Sequence, residues 1–400
     1  MKSNKTRSIL TLAAIGIMWA AAVTVPAQVV SEPILEPNRP MSVTIRGGEE
    51  RTLIINRNEG EFIEISWEAA DGLDLEFSLL TPAGEDLLKD RGYFETMTLV
   101  APTNGPFKFI VKLSSKTAEG DLITSPQKIT LTYSNSYTPP SGIKPTAVRT
   151  VNGYQTKIFN DPDGDSFFTV EQNGKLKWIV KGDSKYYFAD DNEYDQRSAR
   201  MFKQTADKTG DGNPDIAVRS WSGGAHCCFG LHFFELGKQF RAVRPIMTGD
   251  AEVSVLSRNP KGGLRLKTAD SAFAYWNTSF AASPFPDLIL DFQKGEWRPN
   301  FAAMKKQAPT KAQLAAEAAK IRPKLSTKPY EGVDVGFLEE VFWGTILDLI
   351  YSGNESAAWD YLDLVWPEEK PGKDRFKSDL QDQLGKSRFW QMITEDGAAK

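Results

Sequence analysis

The chain has 400 residues with 48 basic and 52 acidic side chains, so its formal charge at neutral pH is −4. This slightly acidic balance argues against a nucleic-acid partner, which calls for a basic surface. Only two cysteines occur, which excludes a small fold held together by several disulfides, and a chain of this length can bury an adequate core without them.

The N-terminal 27 residues have the pattern of a secretory signal peptide. Three basic residues precede an apolar run over 9–23, and the small-residue exit Val25–Ala27 follows. The run is shorter than the about 20 apolar residues that a membrane-spanning helix needs, which favours cleavage after Ala27 over an anchor. We therefore expect a periplasmic or secreted protein that does not span a membrane. Its formal charge moves from −4 to −7 when the three basic residues are lost.

Residues 37–135 consist of short alternating runs separated by glycine, proline and asparagine, the pattern of an antiparallel β-sandwich. In the run 106–113, for example, four apolar side chains share one face of a predicted strand. The stretch GLDLEFSLLTPAGEDLL within this segment resembles the bacterial pre-peptidase C-terminal domain. That resemblance implies an accessory or targeting module without a catalytic role.

A proline-rich linker over 136–145, SYTPPSGIKP, separates this segment from a second β-rich segment over 145–300. The second segment contains FFTVEQNGKLKWIV, in which Asn173-Gly174 predicts a tight hairpin. Further strands are predicted in DIAVRSW, FGLHFFEL and DLILDF.

From residue 309 to residue 400 the apolar period becomes helical. Thr310 and Gln313 predict a capping box, Asp334 is a candidate cap for a second helix, and Gly353 lies where that helix is expected to end. The second helix would carry an apolar stripe that either packs in a core or docks a partner. We thus predict a mainly β protein with an N-terminal β-sandwich, a central β-rich domain resembling propeller blades, and a small C-terminal α-helical bundle.

The segment DKTGDGNPD has the spacing of a calcium-binding loop. Oxygen-bearing residues stand at positions 1, 3, 5, 7 and 9 of the loop, with Gly212 at position 6: Asp207, Thr209, Asp211, Asn213 and Asp215. A hard cation such as Ca²⁺ takes six to eight oxygen ligands, and the glycine permits the sharp bend. Val218 stands at position 12 where an EF-hand has a bidentate Glu, and a strand-like run follows in place of a helix. The alternative is an Asp/Gly-rich turn that binds no metal.

The same loop, followed by a strand, resembles one repeat of the FG-GAP and VCBS families. The resemblance implies that Asp207, Asp211 and Asp215 supply side-chain oxygens, that Thr209 supplies another oxygen, and that Asn213 supplies a carbonyl. A truncated echo, DPDGD, occurs at 161–165 and is a second, weaker candidate loop.

The two cysteines are adjacent, in SWSGGAHCCFG. Three readings stay open: a vicinal disulfide between Cys227 and Cys228, two buried free thiols, or metal or redox chemistry with His226 and His232. The block Gly-Gly-Ala-His-Cys-Cys resembles that of a group of uncharacterised exported bacterial proteins, a likeness that implies no activity.

Two functions are compatible with these features. The first is an exported, non-catalytic calcium-binding protein that recognises an envelope or extracellular polysaccharide or protein. The alternative is a secreted hydrolase, acting on carbohydrate through a carboxylate pair in the acidic cluster Asp190–Asp195, although charge runs of this kind are usually solvated loops.

Overall fold

A computed structural model describes residues 32–90, 96–117, 120–137, 143–160, 166–182, 184–224, 227–333, 338 and 341–395, with the side chains of 86, 88–90 and 227 left out. The predicted signal peptide (1–27), the echo loop at 161–165, His226 and Asp334 lie outside these residues. The predicted fold class is confirmed: the protein is mainly β, with several antiparallel sheets followed by a helical segment.

Two four-stranded antiparallel sheets form an N-terminal β-sandwich. Their strands are β1 (Met41–Ile45), β2 (Glu50–Arg57), β3 (Phe62–Glu68), β4 (Leu73–Leu80), β5 (Asp86–Asp90), β6 (Thr96–Val100), β7 (Gly105–Thr117) and β8 (Gln127–Ser134). The strand orders are β1-β8-β3-β6 and β2-β7-β4-β5. Along β7 the side chains of Phe107, Phe109, Val111 and Leu113 are buried, because alternate residues of a strand point to one face.

Three further sheets are four-stranded meanders, the strand arrangement of a propeller blade. The first contains β9 (Ala147–Val151), β10 (Tyr154–Phe159), β11 (Ser166–Gln172) and β12 (Lys175–Gly182). The second contains β13 (Lys185–Phe188), β14 (Asp215–Gly224), β15 (Cys227–Leu236) and β16 (Phe240–Gly249). The third contains β17 (Ser254–Arg258), β18 (Leu264–Ala269), β19 (Asp287–Gln293) and β20 (Glu296–Pro299).

The hairpin between β11 and β12 turns at the predicted position. Gln172 pairs with Lys175, so Asn173 and Gly174 form the two-residue turn. Their φ angles are +52° and +73°, the left-handed values that a type I′ turn requires at both central positions and that asparagine and glycine tolerate.

The second meander is a shared layer between two apolar cores. Ile216, Val218 and Phe234 pack in a core with the sandwich and the first meander. Ala217 and Phe233 belong to a core with the third meander and the helices. Both faces of this sheet are therefore buried, which explains why its strands read as nearly continuous apolar runs.

Seven helices lie within the described residues: α1 (Gln196–Gln204), α2 (Phe301–Met304), α3 (Lys311–Ile321), α4 (Trp343–Tyr351), α5 (Glu355–Val365), α6 (Lys373–Lys386) and α7 (Arg388–Glu395). The predicted capping box is confirmed at α3, where Thr310 and Gln313 bond reciprocally. The apolar residues of α4 pack in the core shared with the third meander. Gly353 has φ +80° just after α4, as its predicted place at the helix end requires. No helix in the described part of the chain is long and apolar enough to cross a membrane.

Candidate metal centre

The Asp/Gly-rich segment forms the connection from α1 to β14. Gly210 and Gly212 adopt φ angles of +84° and +94°, which glycine reaches without strain. The connection is fixed at its two ends, since the N–H of Asp215 donates to the carbonyl of Ala206 at 2.8 Å and the N–H of Leu236 donates to that of Pro214 at 2.8 Å. The loop is therefore a defined part of the second meander.

Asp207 organises the turn from within. Its Oδ1 accepts the backbone N–H of Gly210 at 2.6 Å, and its Oδ2 accepts that of Gly212 at 2.8 Å. The hydroxyl of Thr209 donates to the same carboxylate at 3.4 Å. These bonds fold the loop around the first aspartate, as the short polar side chains in Asp-rich turns commonly do.

Asp215, the first residue of β14, is 1% exposed. Its Oδ2 accepts the backbone N–H groups of Lys208 at 2.6 Å and Thr209 at 2.8 Å. Its Oδ1 is buried and has no hydrogen-bond partner within the described residues. Burial of such an oxygen costs folding free energy unless another group replaces the hydrogen bonds that water would have donated to it.

Glu235 is the residue that reasoning from the loop alone missed. It lies on β15 directly opposite Asp215 in the strand register and is 4% exposed. One oxygen from each of Asp211, Asp215 and Glu235 lies within 4.8 Å of the others. Like charges placed directly opposite each other on neighbouring strands are destabilising unless something offsets them.

Two cations lie near this carboxylate group. The guanidinium of Arg241 donates to Glu235, with Nε to Oε2 at 2.5 Å, and the ammonium of Lys208 donates to the backbone carbonyl of Asp215 at 2.6 Å. Arg241 offsets the charge of Glu235, but neither cation bonds the free oxygen of Asp215. The site keeps an excess of carboxylate charge on the side of Asp211 and Asp215.

The pKa values of the three acids reflect this environment. Burial raises the pKa of Asp215 to about 7, against the lowering effect of the two backbone hydrogen bonds. Burial also raises the pKa of Glu235, although Arg241 acts in the opposite direction. Burial alone would raise the pKa of Asp211 too, but hydrogen bonds from Asn213 hold it below its ordinary value. A bound cation would favour the ionised form of all three.

The donor set fits a hard divalent cation. All three side chains offer carboxylate oxygens, which Ca²⁺ and Mg²⁺ prefer, whereas Zn²⁺ sites use mainly His and Cys. Asp207 lies in the same loop, but its oxygens already accept backbone N–H groups. The side-chain amide of Asn213, also in this loop, donates to Asp211 at 3.1 Å. Of the five predicted ligands, the structure thus brings Asp211 and Asp215 together and adds Glu235.

The two cysteines begin β15, an inner strand of the same sheet. The backbone N–H of Cys228 donates to the hydroxyl of Ser222 at 2.7 Å. The side chain of Cys227 is outside the described residues, so the disulfide stays a prediction.

His232 is buried, with Nε2 3.2 Å from the Ser220 hydroxyl and aromatic rings of Phe168 and Tyr186 around it. Burial lowers the pKa of His232 to about 4, and these contacts describe a neutral histidine packed in the core.

The acidic cluster 190–195 has structural partners. Asp191 accepts a hydrogen bond from Arg149 at 2.6 Å, and Asp190 lies 3.8 Å from the same guanidinium. Asp195 is the N-cap of α1 and accepts the N–H of Ser198 at 2.9 Å. These contacts occupy three of the acids and give no observation in favour of a hydrolase.

Comparison with known proteins identifies no relative at the level of a family. No family model and no curated protein matches the chain, so the likeness to FG-GAP and VCBS repeats stays a prediction.

Solved structures with local similarity include PliG of Aeromonas hydrophila, a periplasmic inhibitor of g-type lysozyme, at TM-score 0.20 and 12% identity over 25% of this chain and 97% of that chain. They also include the pre-peptidase C-terminal domain of a collagenase from Bacillus anthracis, at TM-score 0.20 and 11% identity, over 25% of this chain and 92% of that chain. A third is CorA, a surface-associated copper-binding protein of Methylomicrobium album BG8, at TM-score 0.20 and 8% identity, over 26% of this chain and 97% of that chain. Scores this low carry no argument about activity or ligand.

Proposed function

We propose that this chain is an exported, non-catalytic protein that binds Ca²⁺ at Asp211, Asp215 and Glu235 and recognises an envelope or extracellular polysaccharide or protein. The observation that carries the calcium proposal is the buried Oδ1 of Asp215, which has no described partner, on a carboxylate that converges with those of Asp211 and Glu235. A divalent cation supplies the positive charge and the coordination that these oxygens lack.

Calcium at this position would have a structural role. The cation would join the loop after α1 to β15, and hence two strands of the meander that both apolar cores share. Because an ion that binds the folded chain and not the unfolded chain stabilises the fold, saturating calcium raises the free energy of unfolding. At about 100 times the dissociation constant the gain is roughly 2.7 kcal/mol.

The recognition proposal is supported by an aromatic group in the loop 270–286, in which Tyr275 is exposed and Phe280 and Phe285 are half-buried. Tyr275 is 55% exposed, and its ring centroid lies 5.4 Å from that of Phe280, which lies 5.6 Å from that of Phe285. Tyr275 also has a φ angle of +61°, which costs about 1–3 kcal/mol for a bulky residue and is typical of binding segments. Exposed tyrosines offer a flat apolar face with a polar tip, which suits a sugar ring.

The experiment for calcium is a thermal melt of the mature chain in millimolar calcium and in chelator, with a higher melting temperature expected in calcium.

For recognition, the mature chain is screened on immobilised envelope polysaccharides beside a panel of glycosidase and peptidase substrates. We expect glycan binding without turnover, reduced in Tyr275→Ala but not in Tyr194→Ala, a tyrosine that is 98% exposed. Turnover of any substrate in the panel would favour the hydrolase instead.

A further inference from the structure

A cavity of about 210 Å³ lies beside the loop, between β9, α1 and the start of β14. Its wall is mostly apolar, with side chains of Val151, Ala189, Phe202, Ala206, Ile216 and Ala217. The cavity is smaller than the roughly 300–1,000 Å³ of a pocket for a drug-sized ligand. Its size and wall suit a small molecule with a short apolar body.

Lys208 provides the buried charge of this wall. The residue is only 8% exposed, and its ammonium donates to the backbone carbonyls of Thr205 at 3.1 Å and Asp215 at 2.6 Å. An ammonium has three N–H donors, so one donor is not used by any described group of the protein. Within the described residues no carboxylate lies within 4.0 Å of this nitrogen to form an ion pair, which makes an external anion favourable.

The other charged groups of the wall are equal in number. Besides Lys208 they are two cationic side chains, Arg149 and Lys203, and two acidic ones, Asp190 and Asp215. Arg149 lies 3.8 Å from Asp190 and bonds Asp191 at 2.6 Å, so this cation already has two carboxylate partners. Lys203 is on the exposed side of α1, at the solvent end of the wall.

We propose that this cavity binds a small organic monoanion, a carboxylate with a short apolar body whose oxygen accepts the third N–H of Lys208. The apolar wall would receive the hydrocarbon part, and the charge-assisted bond to Lys208 would fix the orientation. This ligand site is additional to the calcium site and adjoins it at Asp215 and Lys208, which are hydrogen-bonded to each other.

The test is isothermal titration of the full mature chain with hexanoate and with hexanamide, which has the same shape without the charge. Both titrations are run in calcium and in chelator. We expect hexanoate to bind about tenfold or more tightly than hexanamide, in both buffers, whether or not calcium itself binds. A failure of the calcium proposal is thereby distinguished from a failure of this one.

Three variants locate the site. Lys208→Met keeps the apolar stem and should abolish the preference for the anion, whereas the exposed Lys175→Met on β12 should leave it unchanged. Ala206 is exposed at the edge of the cavity, so Ala206→Trp should fold and should block both ligands. If hexanoate and hexanamide bind equally, if neither binds and the cavity holds only water, or if folded Ala206→Trp binds as the wild type does, the proposal is wrong.

Discussion

Asp215 and Lys208 are joined by hydrogen bonds in both directions. The backbone N–H of Lys208 donates to the Oδ2 of Asp215 at 2.6 Å, and the Lys208 ammonium donates to the backbone carbonyl of Asp215 at 2.6 Å. The aspartate is therefore held in place by the protein itself, while its other carboxylate oxygen has no hydrogen-bond partner within the described residues. A ligand that is fixed in advance loses little entropy when it binds.

The buried histidine makes the stability of the fold sensitive to acid. The pKa of His232 is about 4 in the folded chain because of its burial, whereas the unfolded chain has an ordinary value near 6.5. The unfolded chain thus binds the proton more readily, so stability is retained above about pH 6.5 and falls as the pH drops toward 4. Between pH 7 and pH 5 this group alone should lower the free energy of unfolding by about 2 kcal/mol.

Urea denaturation of wild type and His232→Gln at pH 7 and pH 5 measures this effect. The variant should be less stable than wild type at pH 7. Between pH 7 and pH 5 its free energy of unfolding should fall by about 2 kcal/mol less than that of wild type. An equal loss in both proteins would show that His232 titrates normally in the fold.

Gly263 sets the distance between the hairpin β17–β18 and the Asp/Gly-rich loop 207–215. A Cβ at this position would lie 2.6 Å from the backbone nitrogen of Gly210 and 2.7 Å from the carbonyl carbon of Thr209. Gly263→Ala should therefore displace the loop, lower stability by about 1–3 kcal/mol and weaken calcium binding. Gly385→Ala in α6 is the control, because its Cβ would meet nothing within 4 Å and should stabilise by about 0.5–1 kcal/mol. Denaturation curves of the two variants should shift in opposite directions.

Arg241 would compete with a bound calcium ion for Glu235. Because its guanidinium bonds the Glu235 carboxylate, removal of the positive charge should strengthen the attraction of the three carboxylates for a divalent cation. Arg241→Gln should accordingly raise calcium affinity several-fold while it lowers stability in chelator. Calorimetric titration decides this, and a weaker affinity in the folded variant would mean that Arg241 assists the site.

The adjacent cysteines should be paired with each other in protein from an oxidising compartment, because the chain has no third cysteine. The intact mass after alkylation, measured with and without prior reduction, shows whether Cys227 and Cys228 are free thiols or a disulfide. Two alkylated thiols before reduction would exclude the vicinal disulfide and favour the free-thiol reading.

Local patterns predicted much of the fold. The alternation along β7, the Asn173-Gly174 turn and the capping box at Thr310 each depend on interactions within a few residues, and the structure contains all three. The helix predicted after the candidate cap Asp334 begins later than expected: residues 341 and 342 are not helical, and α4 starts at Trp343. The packing of α4 in the shared core selects which part of the long apolar stripe becomes helix.

The site was only partly predictable for a related reason. The loop spacing predicted Asp211 and Asp215 as ligands, but Glu235 lies beside them only through the register of β14 and β15, which local sequence does not fix. One signal was present: Glu235 is the single acidic residue in the apolar run FGLHFFEL, and a charge at a buried strand position requires a partner.

Calcium titration of wild type and Asp215→Asn by calorimetry tests the central claim most directly. The asparagine keeps an oxygen for the N–H groups of Lys208 and Thr209, and its amide can donate to the neighbouring carboxylates, so stability in chelator should change by less than about 1 kcal/mol. We predict that wild type binds one calcium ion, that Asp215→Asn loses that binding, and that Asp71→Asn, an exposed acid in the sandwich, retains it. Equal binding by wild type and Asp215→Asn, or no heat of binding in folded wild type, would contradict the metal centre.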